Sequence, residues 1–551
     1  MTEPNRRPAG RPHRTVRATP RRPGWYGCEN RIAWMLRANR LLGPDARLAR
    51  LASFAEVFPD SDWHGPVSAS RISRWETASV RADYRVLRRY EQLLGLPTHR
   101  LVATADWVYR VATRESGTQI LVRDLPTDDV AARHALTILL DRALGGDLLT
   151  GMDWDRLTTL LAAQPAAFLY PAAAWTDLAH RLLTEMFISA DLAWLQRAEA
   201  LRVLIQHPQA RPHLVAVCGD LAADKASQAV IEPLAVLDLT ADPEANRRIL
   251  AELANPASER ALRGALIAAA HKVARRHFTS AQLAALATAA ADLLTQPGLG
   301  AETHTLLSHL IHQLPRHQLT RLADHLGRVT AKTFPPAHGE PDQGPTSPQA
   351  RSVNRLAVHV TAQLPQTPDG PHSILPSLLA DLLLSPDIND RLAAAMLIAA
   401  TPYGPAVGHV LADELAAHRH HDADSTVAIV SALGMLSDST GRGPVERLIL
   451  DPTTPPAVAE TACWTVGHLG GGAGPRFWRD AIARTKATWQ HTGSAVSLSA
   501  LRGLVYGLGI GRHRPLLHAA ERDPTLPDPV RSAARSWTSL PAYVTASNGV
   551  H

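Results

Sequence analysis

The chain has 551 residues, 45% of them apolar, 20% charged and 5% aromatic, which excludes wholesale disorder and calls for more than one folding unit. Three widely separated cysteines (Cys28, Cys218, Cys463), without a C-x-x-C pair, exclude a disulfide framework and a thiolate zinc site. The formal charge is +6, and no run of 18 apolar residues exists, so a cytoplasmic protein with no membrane span is expected. The early arginines are followed by no apolar stretch, which argues against a secretory or twin-arginine signal. Ala and Leu dominate over aromatic residues, so the expected fold class is all-α. Only four lysines stand beside 53 arginines, the mark of a GC-rich genome of the actinobacterial kind.

The charge is uneven. Residues 1–24 hold seven Arg and one Glu, residues 25–110 hold 13 Arg and nine acids, and the remainder has a net charge of −4. A basic front end on a mildly acidic body is the electrostatic footprint of a polyanion partner, most often nucleic acid.

Residues 1–24 contain five Pro and two Gly and no apolar periodicity, so a disordered basic arm is expected there. A folded unit is expected over 25–114. ENRIAWMLRANRLL spaces Ile32, Met35, Leu36 and Leu42 as a helix. DARLARLASFAEVF predicts another, with Asp45 as N-cap and Leu48, Leu51, Ala52, Ala55 and Phe58 inward. PDSDWHGP (59–66) is a loop by composition. SASRISRWE predicts a short helix capped by Ser68, with Ile72 and Trp75 in the core and Glu76 in a structural role. Asp83 caps the next helix, whose buried stripe is Leu87, Tyr90 and Leu94; Gly95 and Pro97 end it. A last amphipathic stretch runs from Leu101 to Arg114.

SASRISRWETASVRADYRVLRRYEQLLGLP resembles the second half of a lambda-repressor/Cro-type (XRE-like) helix-turn-helix domain. That family has an I-S-x-W-E core in its recognition helix, followed by a helix of the form Y-x-x-L-x-x-Y-x-x-L-L-G-L. This sequence departs from it in the long PDSDWHGP connection and in lacking the usual S-Q-x-x-L-A start. The resemblance implies double-stranded DNA as partner and a dimer on a two-fold site. Carried over by position, it places Ser68, Ser70 and Arg74 at base edges or adjacent phosphates, with Arg71 as the neighbouring basic candidate. An Arg fork in such a place suits guanine O6 and N7. Arg81 and Arg85, with Arg88 and Arg89, are candidates for phosphate contact or for a solvated face.

From residue 115 to 551 an Ala/Leu/Val-rich phrase recurs. It begins at Val130, Ala193, Lys225, Ser258, Asn389, Asp424, Pro456, Ser494 and Asp528, with spacings of 32 to 38 residues where the series is regular. A period near 35 with two helices per unit predicts an α-solenoid, and the pattern loosely resembles HEAT-like repeats. The period is lost between 272 and 349, and 333–350, with five prolines, is expected to be a flexible loop. The repeats are expected to stack on one another and not on the basic front end.

Chemistry is sparse. HRHHDAD (His418–Asp424) holds metal-ligand types in one loop, and His304, His309, His312 and His317 read as solvated or core histidines. The glycines of GHLGGGAGP and GLGIGR follow helices and read as turns between repeats. No catalytic residue, cofactor or metal is therefore expected. The leading reading is a DNA-binding transcriptional regulator whose helical repeats sense a ligand or partner protein. Its rivals are an interaction scaffold with a degenerate helix-turn-helix domain and a metal-dependent hydrolase at His418–Asp424.

Overall fold

A computed structural model describes residues 27–60, 63, 65–113, 121–125, 128–225, 227–229, 231–296, 298–326, 348–365, 372–417, 423–437 and 439–547. Among them the protein is all-α, with 28 α-helices and no strand. The front end holds α1 (Cys28–Leu42), α2 (Leu51–Val57), α3 (Ala69–Glu76), α4 (Tyr84–Leu94) and α5 (Arg100–Thr113). Next come α6 (Asp129–Gly145), α7 (Gly151–Ala162), α8 (Ala173–Ile188), α9 (Asp191–Leu204), α10 (Arg211–Ala223) and α11 (Ile231–Leu237). They are followed by α12 (Pro243–Ala254), α13 (Glu259–Ala274), α14 (Ser280–Thr295), α15 (Ala301–Gln313), α16 (Arg316–Leu326) and α17 (Pro348–Ala362). The second half has α18 (Leu375–Leu384), α19 (Ile388–Ala399), α20 (Tyr403–Ala417), α21 (Ala423–Leu436), α22 (Arg442–Leu450) and α23 (Pro456–Thr465). It ends with α24 (Pro475–Thr492), α25 (Ala495–Ile510), α26 (Arg514–Arg522), α27 (Asp528–Thr538) and α28 (Ala542–Ala546).

Local signals explain most boundaries. Ser68 Oγ accepts the Arg71 N–H (3.3 Å) and Asp83 accepts the Val86 N–H (2.9 Å), which satisfies amides that the first turns of α3 and α4 leave open. Gly95, at φ +62°, ends α4 in the left-handed region. The helix expected from Asp45 is shorter. Asp45 accepts the Arg47 N–H (2.9 Å) and pairs with its guanidinium (3.0 Å), so a side-chain turn takes the place of the first helical turns. In α2 Ala52 is exposed and Phe54 is buried in its stead. The front-end core is aromatic: Phe58 stacks near Trp63 (5.1 Å), Trp75 (5.3 Å) and Tyr90 (5.9 Å).

In the body, helices pack on the next but one. One row runs α8–α10–α12–α14–α16 and another α11–α13–α15; the second half repeats this as α20–α22–α24 beside α19–α21–α23–α25–α27. Eight of the nine repeated phrases fall on α9, which packs on α7, on α11 and α13 of the second row, and on its counterpart α19, α21, α23, α25 and α27; the phrase at Val130 is α6. Only Ile231–Leu237 of the phrase from Lys225 is helical. The stretch 272–326, where the period is lost, is helical too, and Pro348–Ala350 open α17, with proline at the first position where its missing N–H costs nothing. The remainder of the expected loop, 333–347, lies outside the described residues, as do the 1–24 arm and the expected boundary at 114–115.

Two features depart from independent stacking. First, α5 packs on α9 and α19 as well as on α1 and α4. Arg31 pairs with Asp381, Asn39 donates to the Ala400 carbonyl (2.8 Å), and the Trp34 and Tyr403 rings lie 5.2 Å apart. Second, the body closes on itself. Gln228 donates to the Arg502 carbonyl (2.6 Å), Trp537 Nε1 donates to Gln228 (2.7 Å), Phe187 stacks on Tyr506 (5.2 Å), and Arg197 donates to the Ser547 carbonyl (3.2 Å).

The glycines of GLGIGR belong to this closure. Gly507 and Gly509 lie inside α25 and not in a turn. A methyl group on Gly509 would intrude on the Trp537 ring, and one on Gly507 would come within 2.5 Å of Trp478. Absent side chains let two indoles rest against the helix backbone.

Candidate functional site

The first candidate site is the outer surface of α3. Ile72 and Trp75 are buried, as their spacing predicts. Glu76 is buried too and accepts two hydrogen bonds from Arg40 (2.6 and 2.7 Å) and one from the Tyr90 hydroxyl (2.9 Å). This network ties α3 to α1 and α4 and leaves the opposite surface free to be read from outside. Ser68, Ser70, Arg71, Arg74, Arg81 and Arg85 are all exposed with the whole body in place.

Their engagement differs. Ser68 is used as the N-cap. The Arg71 guanidinium lies over Trp63 (5.5 Å) and Trp75 (5.3 Å), so the 59–66 connection supplies one ring of its platform. Arg81 stacks on Tyr109 (4.0 Å) and Arg85 pairs with Asp124 (3.3 Å). Arg74 and Ser70 have no side-chain hydrogen bond or ion pair among the described residues. Arg89 is structural: it donates to the Val57 and Phe58 carbonyls (2.8 and 2.6 Å) and pairs with Asp60 (3.0 Å), closing the end of α2 onto α4. Arg88 lies 3.7 Å from Glu91.

The second candidate site was not foreseen. The wrapped body holds a half-open cavity of about 700 Å³, within the range of small-molecule sites. Its walls come from α5, α8, α9, α11, α13, α15, α19, α21 and α23, with Tyr506 added from α25. One wall is aromatic: Tyr506 lies near Phe187, Trp464 (5.5 Å) and His468 (5.3 Å). Arg260 covers the Trp464 face at 3.7 Å.

The charges around the cavity fall into two groups. Arg100 is held by Asp191 through two bonds of 2.6 Å, and Arg263 by Glu302 (2.7 Å) and Glu259 (2.9 Å). His271 sits between Asp238 (2.7 Å) and Asp387 (3.5 Å). Burial alone would lower this imidazole, but the charge and hydrogen bond of Asp238, then those of Asp387, raise it to about 9. The side chains of Arg260 and Arg391, by contrast, form no hydrogen bond or ion pair among the described residues, and the Nε of each is buried without a partner. Burial pushes both guanidinium groups below their ordinary value, against the opposing charges of Glu232 at Arg260 and of Glu302 and Asp387 at Arg391. Burial likewise raises Glu232, whose Oε2 has no partner.

No group of three metal-ligating side chains occurs among the described residues, and His418–Asp422 of the histidine-rich motif lie outside them. Asp424 opens α21 and lines the cavity. His312 and His309 bond within α15, to the Ser308 carbonyl (2.6 Å) and to Gln313 (2.8 Å). No single helix among the described residues is long and apolar enough to cross a membrane.

The cavity did leave a trace in the sequence. Glu232, Arg260, Arg391 and Asp424, inside the apolar phrases, and Glu302, outside them, each stand among the first four residues of a helix that lines the cavity. A single period of the repeat shows one or two of them, and only closure of the body gathers them. Comparison with family models, with curated proteins and with solved structures finds no match to this chain.

Proposed function

We propose that this chain is a sequence-specific DNA-binding transcriptional regulator, in which the front end acts as an XRE-like helix-turn-helix domain and α3 as its recognition helix. The helical repeats form a HEAT-like α-solenoid, wrapped on itself, that serves as an effector chamber. The observation that carries this reading is the exposure of Ser70 and Arg74, without partners, on a short helix whose other side is clamped by Arg40, Glu76 and Tyr90. The basic charge of residues 1–110 favours approach to a polyanion. Genome-wide footprinting of the bound DNA, followed by titration of the preferred site, tests it. Arg74→Ala is expected to cost about 1–3 kcal/mol on that site and to relax discrimination at one base pair, with non-specific binding far less affected. Unchanged preference and affinity would remove α3 from the role.

A second reading is a protein-interaction scaffold with a degenerate helix-turn-helix domain. The engagement of Arg81 with Tyr109 and of Arg85 with Asp124 favours it, since each exposed arginine already has a partner within the chain. Absence of salt-dependent DNA binding by the full chain would decide for the scaffold.

A further inference from the structure

The first turns of α11, α13, α15 and α19 converge on the cavity. Arg263 of α13 reaches Glu302 of α15 (2.7 Å), Thr303 of α15 donates to Glu259 of α13 (2.9 Å), and the Glu302 charge is felt at both Arg260 and Arg391. Helix N-termini carry partial positive charge, so acids in a first turn are ordinary companions of the helix dipole. Glu232, Glu302 and Asp424 need no further explanation than that. Arg260, second in α13, and Arg391, fourth in α19, are the reverse: cations set against positive helix ends, half-buried and, among the described residues, without a side-chain hydrogen-bond partner. Glu232, Glu302 and Asp387 favour these cations from a distance, but among the described residues none of them forms a hydrogen bond or ion pair with either guanidinium. An anion in the cavity would satisfy both, and it would meet the aromatic wall of Trp464, Tyr506 and Phe187 directly beside Arg260.

We propose that the cavity binds a planar aromatic anion, with its acidic group neutralised by Arg260 and Arg391 and its rings laid against the Trp464–Tyr506 wall. The size of the chamber admits two or three fused or linked rings with substituents. This rests on the reading of the wrapped repeats as an effector chamber and gives the effector a chemical class. Guanidinium groups with free N–H edges suit a carboxylate or sulfonate, since they present paired donors to paired acceptors.

The experiment compares two probes on the full chain: 8-anilinonaphthalene-1-sulfonate, an aromatic anion, and N-phenyl-1-naphthylamine, its uncharged counterpart. Fluorescence titration and calorimetry are expected to show one saturable site for the sulfonate, with energy transfer from tryptophan. Arg260→Met and Arg391→Met keep much of the side-chain bulk and remove the charge. Each is expected to weaken the sulfonate about tenfold or more and to leave the neutral probe within about twofold. Should either variant fail to fold by circular dichroism, the unmodified chain still decides, since it must prefer the sulfonate over the neutral probe and lose that preference as salt rises. Absence of a stoichiometric site, equal affinity for both probes, or unchanged sulfonate binding in both folded variants would overturn the proposal. No DNA is present in this assay, so such a result would leave the role of α3 untouched, and failure of the Arg74 test would leave the cavity ligand untouched.

Discussion

Replacing His271 by Gln removes a cation that α13 holds between Asp238, just after α11, and Asp387, the N-cap of α19. These contacts join the first half of the body to the second across the cavity. The displacement of the imidazole from 6.5 to about 9 corresponds to about 3 kcal/mol in favour of its charged form in the fold. Because the folded value is raised, the contribution is complete below pH 6.5, declines between 6.5 and 9, and is lost above that. Asp238 sets the opposite limit. Burial opposes its ionisation, but Arg275 and then His271 hold it at about 2, so its share is present above pH 3.8 and lost as pH falls through about 2.

The assay is urea denaturation of the unmodified chain and of His271→Gln at pH 6, 8 and 10. At pH 6 the variant is expected to be less stable by about 3 kcal/mol, plus a pH-independent part from altered packing. The pH-dependent part should shrink at pH 8 and vanish by pH 10. A gap that stays constant or widens with pH would show that His271 is neutral in the fold and that the ion-pair account of this junction is wrong.

Gly509→Ala places a methyl group on the Trp537 ring, so it is expected to lower stability by about 1–3 kcal/mol or more, and calorimetry should show partial recovery when Trp537→Leu is added. Arg40→Met strands the Glu76 carboxylate in the front-end core with Tyr90 alone; a loss of about 3–5 kcal/mol is expected in denaturation of the full chain. Arg123→Met leaves Asp106 and Asp155 without their shared guanidinium (2.7 and 3.0 Å), and a similar loss should accompany faster amide exchange in α5.

The parts of the fold that were legible in the sequence are those set by neighbours in the chain. Ser68, Asp83 and Gly95 mark the ends of α3 and α4 because capping is a matter of three or four residues, and Ile72, Trp75, Leu87 and Tyr90 declare their buried side by spacing alone. The repeated phrase was legible for a related reason. Helices covered on two sides keep Ala, Leu and Gly almost all round, whereas the outer helices have one apolar stripe and freer surfaces. What was hidden depends on partners far along the chain. Gly509 looks like a turn residue until Trp537 is laid on it, and Arg260 looks like a solvated first-turn residue until Trp464, more than 200 positions later, is stacked beneath it. Asp45 shows the converse error: a short polar side chain before an apolar run can cap a helix or close a turn, and the run alone does not choose.

The helix that gives the two candidate sites a physical connection is α5. It supplies Arg100, Thr104 and Trp107 to the cavity wall. Its start is gripped by α4, where the Glu91 carboxylate accepts the backbone N–H groups of His99 (2.9 Å), Leu101 (2.8 Å) and Val102 (3.1 Å). From α4 the Tyr90 hydroxyl reaches Glu76 at the end of α3. On the body side α5 is bound by Arg110 to Glu199 (2.8 Å) and by Asp106 through Arg123 to Asp155. A ligand that draws Arg100 or Trp107 inward therefore acts on a helix whose start is bonded to α4, and α4 carries the clamp on α3. If α3 binds DNA and the cavity binds an aromatic anion, each must alter the other's affinity by one common factor, since the coupling free energy belongs to the pair of sites. The expected factor is about fivefold to a hundredfold. It is measured twice, as the change in sulfonate affinity on adding saturating DNA and as the change in DNA affinity on adding saturating sulfonate. Trp107→Leu should reduce both changes together. Affinities that ignore each other in both directions, with both ligands bound, would show that α5 is only a structural tie.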